Sequence, residues 1–273
     1  MSLKKIFYSF LILFIVNYST ITFAQTSSET TTVELEEIVV TAQRREQNIS
    51  DVSQAVQALS GDDLNELNIT NFEEMITLIP GAIQNSTISH GSNVYSIRGV
   101  AASETDGDAT VGYYLDNFAF SIPGRPYAPV TDLYDTERVE VLRGPSGTLY
   151  GLGSLGGTIK VITKDPVIGE FEGSFKATVS EIDDGDSSYT GDIVINAPIS
   201  DNAAIRAVLS IKDIGGWAEI IPSDQTDGNP YEALTGRLKL LVEPNEKTSV
   251  KFTYWRQDSE QEYANRLTYP SPP

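Results

Sequence analysis

The 273-residue sequence has no cysteine and a single histidine, His90. Without thiols there is no disulfide framework, no thiolate metal site, no thiol nucleophile and no lipid-bearing cysteine. One histidine has no second histidine to act as base, and zinc or haem sites draw on more ligands than one. His90 sits between Ser89 and Gly91 in a polar stretch and reads as a solvated loop side chain, so no metal site and no cofactor is predicted. Positive charge is also scarce: 19 lysines and arginines face 38 acids, for a net charge of −19. Such a field repels phosphate backbones and argues against nucleic acid as a partner. Long hydrophobic runs are missing as well. The longest, Ile6 to Val16, falls short of the ~20 apolar residues that a helical bilayer span requires.

That short run has a different use. Lys4 and Lys5 precede it, and Thr22-Phe23-Ala24 places small residues three before and one before a cut at Gln25. This is the layout of a signal peptide over residues 1–24, and the chain is expected to be exported. Losing both lysines takes the net charge to −21. The acids are interleaved with apolar-periodic segments rich in tyrosine and phenylalanine, which favours folded structure over a disordered acidic chain.

Residues 25–49 form a polar leader that ends in ELEEIVVTAQRREQNI. Ile38, Val39 and Val40 are a β-branched triplet between Glu36-Glu37 and Arg44-Arg45. An apolar run this short makes no core by itself. It suits addition to the sheet edge of another protein, or an ordinary first strand of the domain that follows.

From about residue 50 to 166 the pattern is that of one α+β domain. Two helix starts are predicted, at Ser60 with Asp63 and at Thr70 with Glu73, the second helix carrying Phe72, Met75, Ile76 and Ile79 and stopping at Pro80-Gly81. Short strands are predicted over 94–100, 111–117, 137–142 and 158–164. Long polar loops at 101–110 and 118–130 separate them, and loops of that length in a small domain are usually functional or disordered.

After Pro166 the period becomes two. Phe171, Gly173, Phe175, Ala177 and Val179 alternate with polar residues, and four more such strands follow, around Ile193, Ala207, Leu238 and Phe252. Tight turns at 197–202 and 243–247 alternate with longer acidic connections at 181–188 and 213–232. Strands of about ten residues with short turns at one end and long loops at the other describe a transmembrane β-barrel wall. A soluble sandwich or barrel has the strands without the loop asymmetry.

Gly151-Leu-Gly153-Ser-Leu-Gly156 spells the dinucleotide-binding glycine pattern. The pattern needs a strand immediately before it and a helix after it. Here β-branched TIKVIT follows, and Gly157 stands where a phosphate-binding loop needs lysine. Ser146 in RGPSG lacks the glycine two residues earlier that a nucleophile elbow requires. No enzyme is predicted. What remains for these glycines is tight turns and close backbone approach between two strands.

With that reading in place, ERVEVLRGPSGTLYG followed by GGTIKVITK resembles the C-terminal signature of the plug domain of TonB-dependent outer-membrane receptors. EEIVVTA, residues 36–42, resembles their TonB box, and LNELNITNFEEMITLIPG, SIRG and VGYYLDN follow in the plug's order. Leu152-Gly153 departs from the polar or alanine-containing pair more usual in the family. The resemblance implies an α+β plug domain over 50–166, and over 167–273 the first five or so strands of an incomplete barrel whose family form has about 22 strands.

The implied function is active uptake of a scarce ligand across the outer membrane, a ferric siderophore or other iron complex, with TonB, ExbB and ExbD as partners. Alternatives are a soluble plug-like periplasmic module or a non-functional receptor remnant. Glu37, Ile38, Val39, Val40, Thr41 and Ala42 would couple to TonB. Arg98 and Arg143 would latch the plug to wall glutamates, or else form plain surface salt bridges. His90, Arg125 and Tyr127 lie in the loops expected at the ligand-facing apex.

Overall fold

A computed structural model of the chain describes residues 39–41, 43–87, 93–102, 107–121, 123–128, 132–151, 153–182, 185–220 and 225–261, all within one compact unit. The expected signal peptide and most of the leader lie outside these residues, as do Glu37, Ile38, Ala42 and His90.

The chain enters with β1 (Val39–Val40) paired antiparallel to β2 (Gln47–Asn48). Then come β3 (Val56–Ser60), α1 (Gly61–Glu66), α2 (Phe72–Ile76) and a hairpin of β4 (Ala82–Thr87) with β5 (Asn93–Ile97). Four further strands follow: β6 (Val111–Leu115), β7 (Phe118–Ala119), β8 (Thr136–Arg143) and β9 (Gly157–Thr163), with the short helix α3 (Gly147–Tyr150) between the last two. One mixed sheet runs in the order β3-β8-β9-β6-β7, with β6 and β9 the one parallel pair among the described residues.

Local chemistry explains the helices. Ser60 caps α1 by accepting from the Asp63 amide at 3.0 Å while Asp63 accepts from the Ser60 amide at 3.3 Å, a reciprocal box as expected. The second cap falls one residue later than the Thr70/Glu73 spacing suggests. Asn71 accepts from the Glu74 amide at 2.9 Å, and Glu74 accepts from the Thr70 amide at 3.0 Å. Asparagine outranks threonine as an N-cap, and Glu73 is engaged elsewhere, accepting from the Asn93 side chain at 2.5 Å. Leu64, Phe72, Met75 and Ile76 of the helices pack on Tyr113, Val139, Ile159 and Val161 of the sheet in one buried core. The strand expected over 94–100 ends at Ile97, because Arg98 and Gly99 turn the chain in left-handed conformations, φ 55° and 76°.

Beyond Pro166 five long antiparallel strands form a second sheet: β10 (Glu172–Glu181), β11 (Ser187–Ser200), β12 (Ala203–Ile214), β15 (Tyr231–Asn245) and β16 (Thr248–Gln261), in that order. A small hairpin, β13 (Ala218–Ile220) with β14 (Gln225–Gly228), sits in the long connection between β12 and β15. β10 and β16 are the outer strands, so the sheet is an unclosed barrel wall. Its two faces are inverted relative to a soluble protein. Polar residues such as Asp192, Asn196, Arg206, Ser210, Arg237 and Lys239 are buried on the side that meets the α+β domain. Phe175, Val179, Ile195, Leu209, Leu238, Val250 and Phe252 alternate with that set and are exposed on the other side.

Candidate functional site

The glycine-rich stretch is built for close approach. Ser146 leads into α3, and Gly151 and Gly153 turn the chain back at φ 71° and 85°. A Cβ on Gly157 would stand 2.5 Å from the Leu142 carbonyl oxygen and 2.8 Å from Ile97 Cδ1, so only glycine lets β9 start against β8 here. Ser146 Oγ and Thr158 Oγ1 share a buried hydrogen bond of 2.7 Å, and Tyr114 Oη donates to the Tyr150 carbonyl at 2.6 Å. These contacts hold a turn.

Beside this turn Val39, Val40 and Thr41 are docked. Val40 is completely buried with Leu142 and Tyr150, whereas Val39 is 44% exposed. The Thr41 amide donates to Glu140 Oε1 at 2.7 Å, and Lys160 Nζ donates to Thr41 Oγ1 at 2.7 Å. Glu140 is itself fully buried and also accepts from Arg138 Nε at 2.9 Å. Glu140 and Lys160 are direct cross-strand partners of β8 and β9. Arg44 completes the dock, donating to the Leu149 carbonyl at 2.7 Å and lying over the Tyr150 ring. Burial pulls the Lys160 ammonium below its ordinary range, opposed by the Glu140 charge. It pushes the Tyr150 phenol up to about 12, with Glu140 adding to the effect. An open cleft of about 340 Å³ runs past Thr41, Arg44, Tyr114, Asp116 and Lys160.

Between the α+β domain and the wall lies a ladder of ion pairs. Asp132 meets Lys212 at 3.4 Å and accepts from Ser210 at 2.5 Å. One step along, Asp135 (φ 57°) accepts from Arg206 Nε and Nη2 at 3.0 and 2.5 Å and from Arg237 Nη2 at 2.8 Å; all three residues are buried. A further step brings Lys239 to Asp165 at 3.0 Å and to Asp116 at 3.2 Å, with Lys251 also bonded to Asp165. Burial would raise Asp165, but the hydrogen bonds from Lys251 and Lys239 outweigh it and hold the carboxyl below its ordinary value. Asn196 ties down the linker, donating to the Val167 and Glu170 carbonyls at 2.9 and 2.7 Å. A cavity of about 370 Å³ opens next to Asp132 and Lys212.

Local spacing in the sequence does not mark this ladder, and the resemblance implies plug arginines against wall glutamates instead. The signs are opposite: the domain contributes the acids and the wall the cations. Arg98 and Arg143 are nonetheless brought together. The Arg98 amide donates to the Gly81 carbonyl at 2.7 Å, and Arg143 Nη1 donates to the neighbouring Pro80 carbonyl at 3.4 Å. A Cβ on Gly144 would be 3.2 Å from Arg98 Nη1. Neither arginine is ion-paired among the described residues. Arg125 is exposed and Tyr127 half-buried, in a loop joined to its neighbours where the Gly124 amide donates to Asp108 and the Ala128 amide to the Asn93 carbonyl, each at 2.8 Å.

A wall that is polar where it meets a seated α+β domain and apolar on its outer side defines the class: a plug with part of a barrel wall. Residues 48–158 match the family of the TonB-dependent Receptor Plug Domain. Among curated proteins, the pesticin receptor of Yersinia pestis is 28% identical over 77% of this chain and 30% of its own length. The vitamin B12 transporter BtuB of Vibrio vulnificus is 26% identical over 85% of this chain and 36% of its own. The crystal structure of the ferric yersiniabactin uptake receptor FyuA from Yersinia pestis superposes with a TM-score of 0.64 at 22% identity, covering 78% of this chain and 33% of that one. That of the ferripyoverdine receptor of the Pseudomonas aeruginosa outer membrane gives 0.65 at 21%, covering 81% and 27%. Residues 48–158 are thus a plug domain of the TonB-dependent receptor kind, and the strands that follow are consistent with the start of such a receptor's barrel wall. The chain spans about a third of the length of the curated relatives it matches.

Proposed function

We propose that this chain serves active, TonB-driven uptake across the outer membrane of a Gram-negative bacterium, with a ferric siderophore or other iron complex as cargo. Residues 1–24 would act as the export signal, 25–49 as the leader with its TonB box at 36–42, 50–166 as the plug, and 167–273 as wall strands in contact with outer-membrane lipid. Val39 and Thr41, with Glu37, Ile38, Val40 and Ala42, would pair as an added strand with TonB, itself driven by ExbB and ExbD. Arg98 and Arg143 would latch onto acids of wall strands beyond those described. His90, Arg125 and Tyr127 belong to the ligand-facing loops of this reading.

The observation that carries the proposal is the inverted wall. Aromatic and branched aliphatic side chains cover its outer face, while buried charges and amides line the side under the plug. In water that arrangement exposes the wrong face; in a bilayer it is the stable one. Membrane flotation and heat-modifiable migration of the expressed chain test it. Recovery in the outer-membrane fraction, with mobility that changes on boiling, is expected. Recovery as soluble periplasmic protein would overturn it in favour of a plug-like binding module.

A further inference from the structure

In a chain of net charge −19, six cations meet the plug or its linker from one side of the wall: Lys176, Arg206, Lys212, Arg237, Lys239 and Lys251. They descend in register. Arg206 is directly opposite Lys239 across β12 and β15, and Arg237 lies opposite Val208, two residues along. Two wall carboxylates share that face, Glu172 paired with Arg206 and Asp192 beside Ser210, whose one hydroxyl lies between Asp192 and Asp132. The counter-charges for the rest of the ladder, Asp116, Asp132, Asp135 and Asp165, all come from the plug or its linker.

The plug-facing side of the wall therefore carries more cations than acids, and the carboxylates of the seated plug and its linker offset the excess. Arg206 grips both oxygens of Asp135 through Nε and Nη2, so the wall holds a side-on carboxylate site as well as a positive field. Buried guanidinium groups left without an anion are costly, so whatever passes once the plug's acids withdraw is favoured if it replaces them. A cation would be repelled at every step, and a neutral solute would leave the ladder unpaired.

We propose that the cargo conducted along this wall is polyanionic, a complex bearing several carboxylates or equivalent oxyanions that takes over the wall cations from the plug. This deepens the uptake reading above and rests on it.

Citrate is a suitable probe, and the chain carries its own reporter. Trp255, one of two tryptophans, sits edge-on to Phe120 of the plug with ring centroids 5.1 Å apart. In the full chain carrying Trp217→Phe, held in detergent micelles, Trp255 emission follows plug seating. Citrate is expected to shift that emission to the red at an ionic strength ~10-fold below that needed with sodium chloride, because a tricarboxylate competes for the cations where chloride mainly screens them. Lys251→Gln, at a half-exposed position, should reduce the difference at least ~2-fold without unseating the plug. Citrate no more effective than chloride at equal ionic strength overturns the proposal, and so does an advantage that both Lys251→Gln and Lys212→Gln leave intact. The titration reads charge exchange at the seam whereas flotation reads insertion, so failure here and failure of the uptake reading are separate results.

Discussion

Thr41 and Glu140 lie 99 positions apart in the chain and share a 2.7 Å hydrogen bond at the centre of the dock. Glu140 is a buried carboxylate serving Arg138 and Thr41 together, with Lys160 opposite it, so its removal leaves two cations facing each other in a poorly solvated place. Glu140→Gln is expected to destabilise the plug by ~3 kcal/mol in urea unfolding, since a buried cation loses its counter-charge. Thr41→Val should cost only about 1 kcal/mol and act locally. Hydrogen exchange at the Thr41 amide would then be ~5-fold faster while exchange in β8 and β9 stays unchanged. Equal acceleration across β9 would show that the segment is not held separately. None of this dock is written in local spacing. The β-branched triplet marked a strand, but its acceptor is a glutamate that reads in ERVEVL as one more polar position of an alternating strand.

At the scale of elements, the stretch from Glu137 to Lys164 was the most legible. Its flanking strands fall within a residue or so of the expected positions, and its glycines do serve close approach. α3 was missed because four residues of GTLY give no helical period. β3 and β4 were missed because QAVQALS and AIQNST mix polar and apolar residues without a clear alternation. The glycines make unequal predictions. Gly157→Ala drives a methyl into the Leu142 carbonyl and Ile97, and overpacking of this kind costs ~1–3 kcal/mol. Gly147→Ala meets nothing within 4 Å, at a helical position with ordinary φ, and should be neutral or stabilising by up to ~1 kcal/mol. Thermal unfolding of the two variants side by side checks the contrast, and a similar loss in both would contradict the close-approach account.

The whole molecule is organised by which face of the wall meets the plug, and period two alone could not decide that. Alternation told which residues share a face; only the seated domain shows that the polar set is inside. Two consequences follow from the seam and the outer face. Asp165 is held below its ordinary carboxyl value by Lys239 and Lys251, so its stabilising contribution is fully present above the unfolded value near pH ~4 and is lost as pH falls through the lower folded one. Acid titration of Trp255 emission should show plug loosening below pH ~4 that Asp165→Asn, already loosened, lacks. The outer face supplies the sharper test. Leu209 lies mid-strand in β12, between Ile193 and Gly236 on the neighbouring strands, and is partly exposed on the apolar side. In a bilayer its environment is hydrocarbon, where an arginine on a barrel's lipid face costs ~2–4 kcal/mol at the midplane and little near the interface. In water the same change would replace an exposed leucine with a solvated cation and improve solubility. Leu209→Arg is therefore expected to lower recovery in outer-membrane vesicles by at least ~10-fold, whereas Lys247→Arg, in the exposed turn after β15, changes nothing. If Leu209→Arg instead gave more folded protein in the soluble fraction, the apolar face would be the exposed side of a soluble sheet, and the membrane assignment would fall with it.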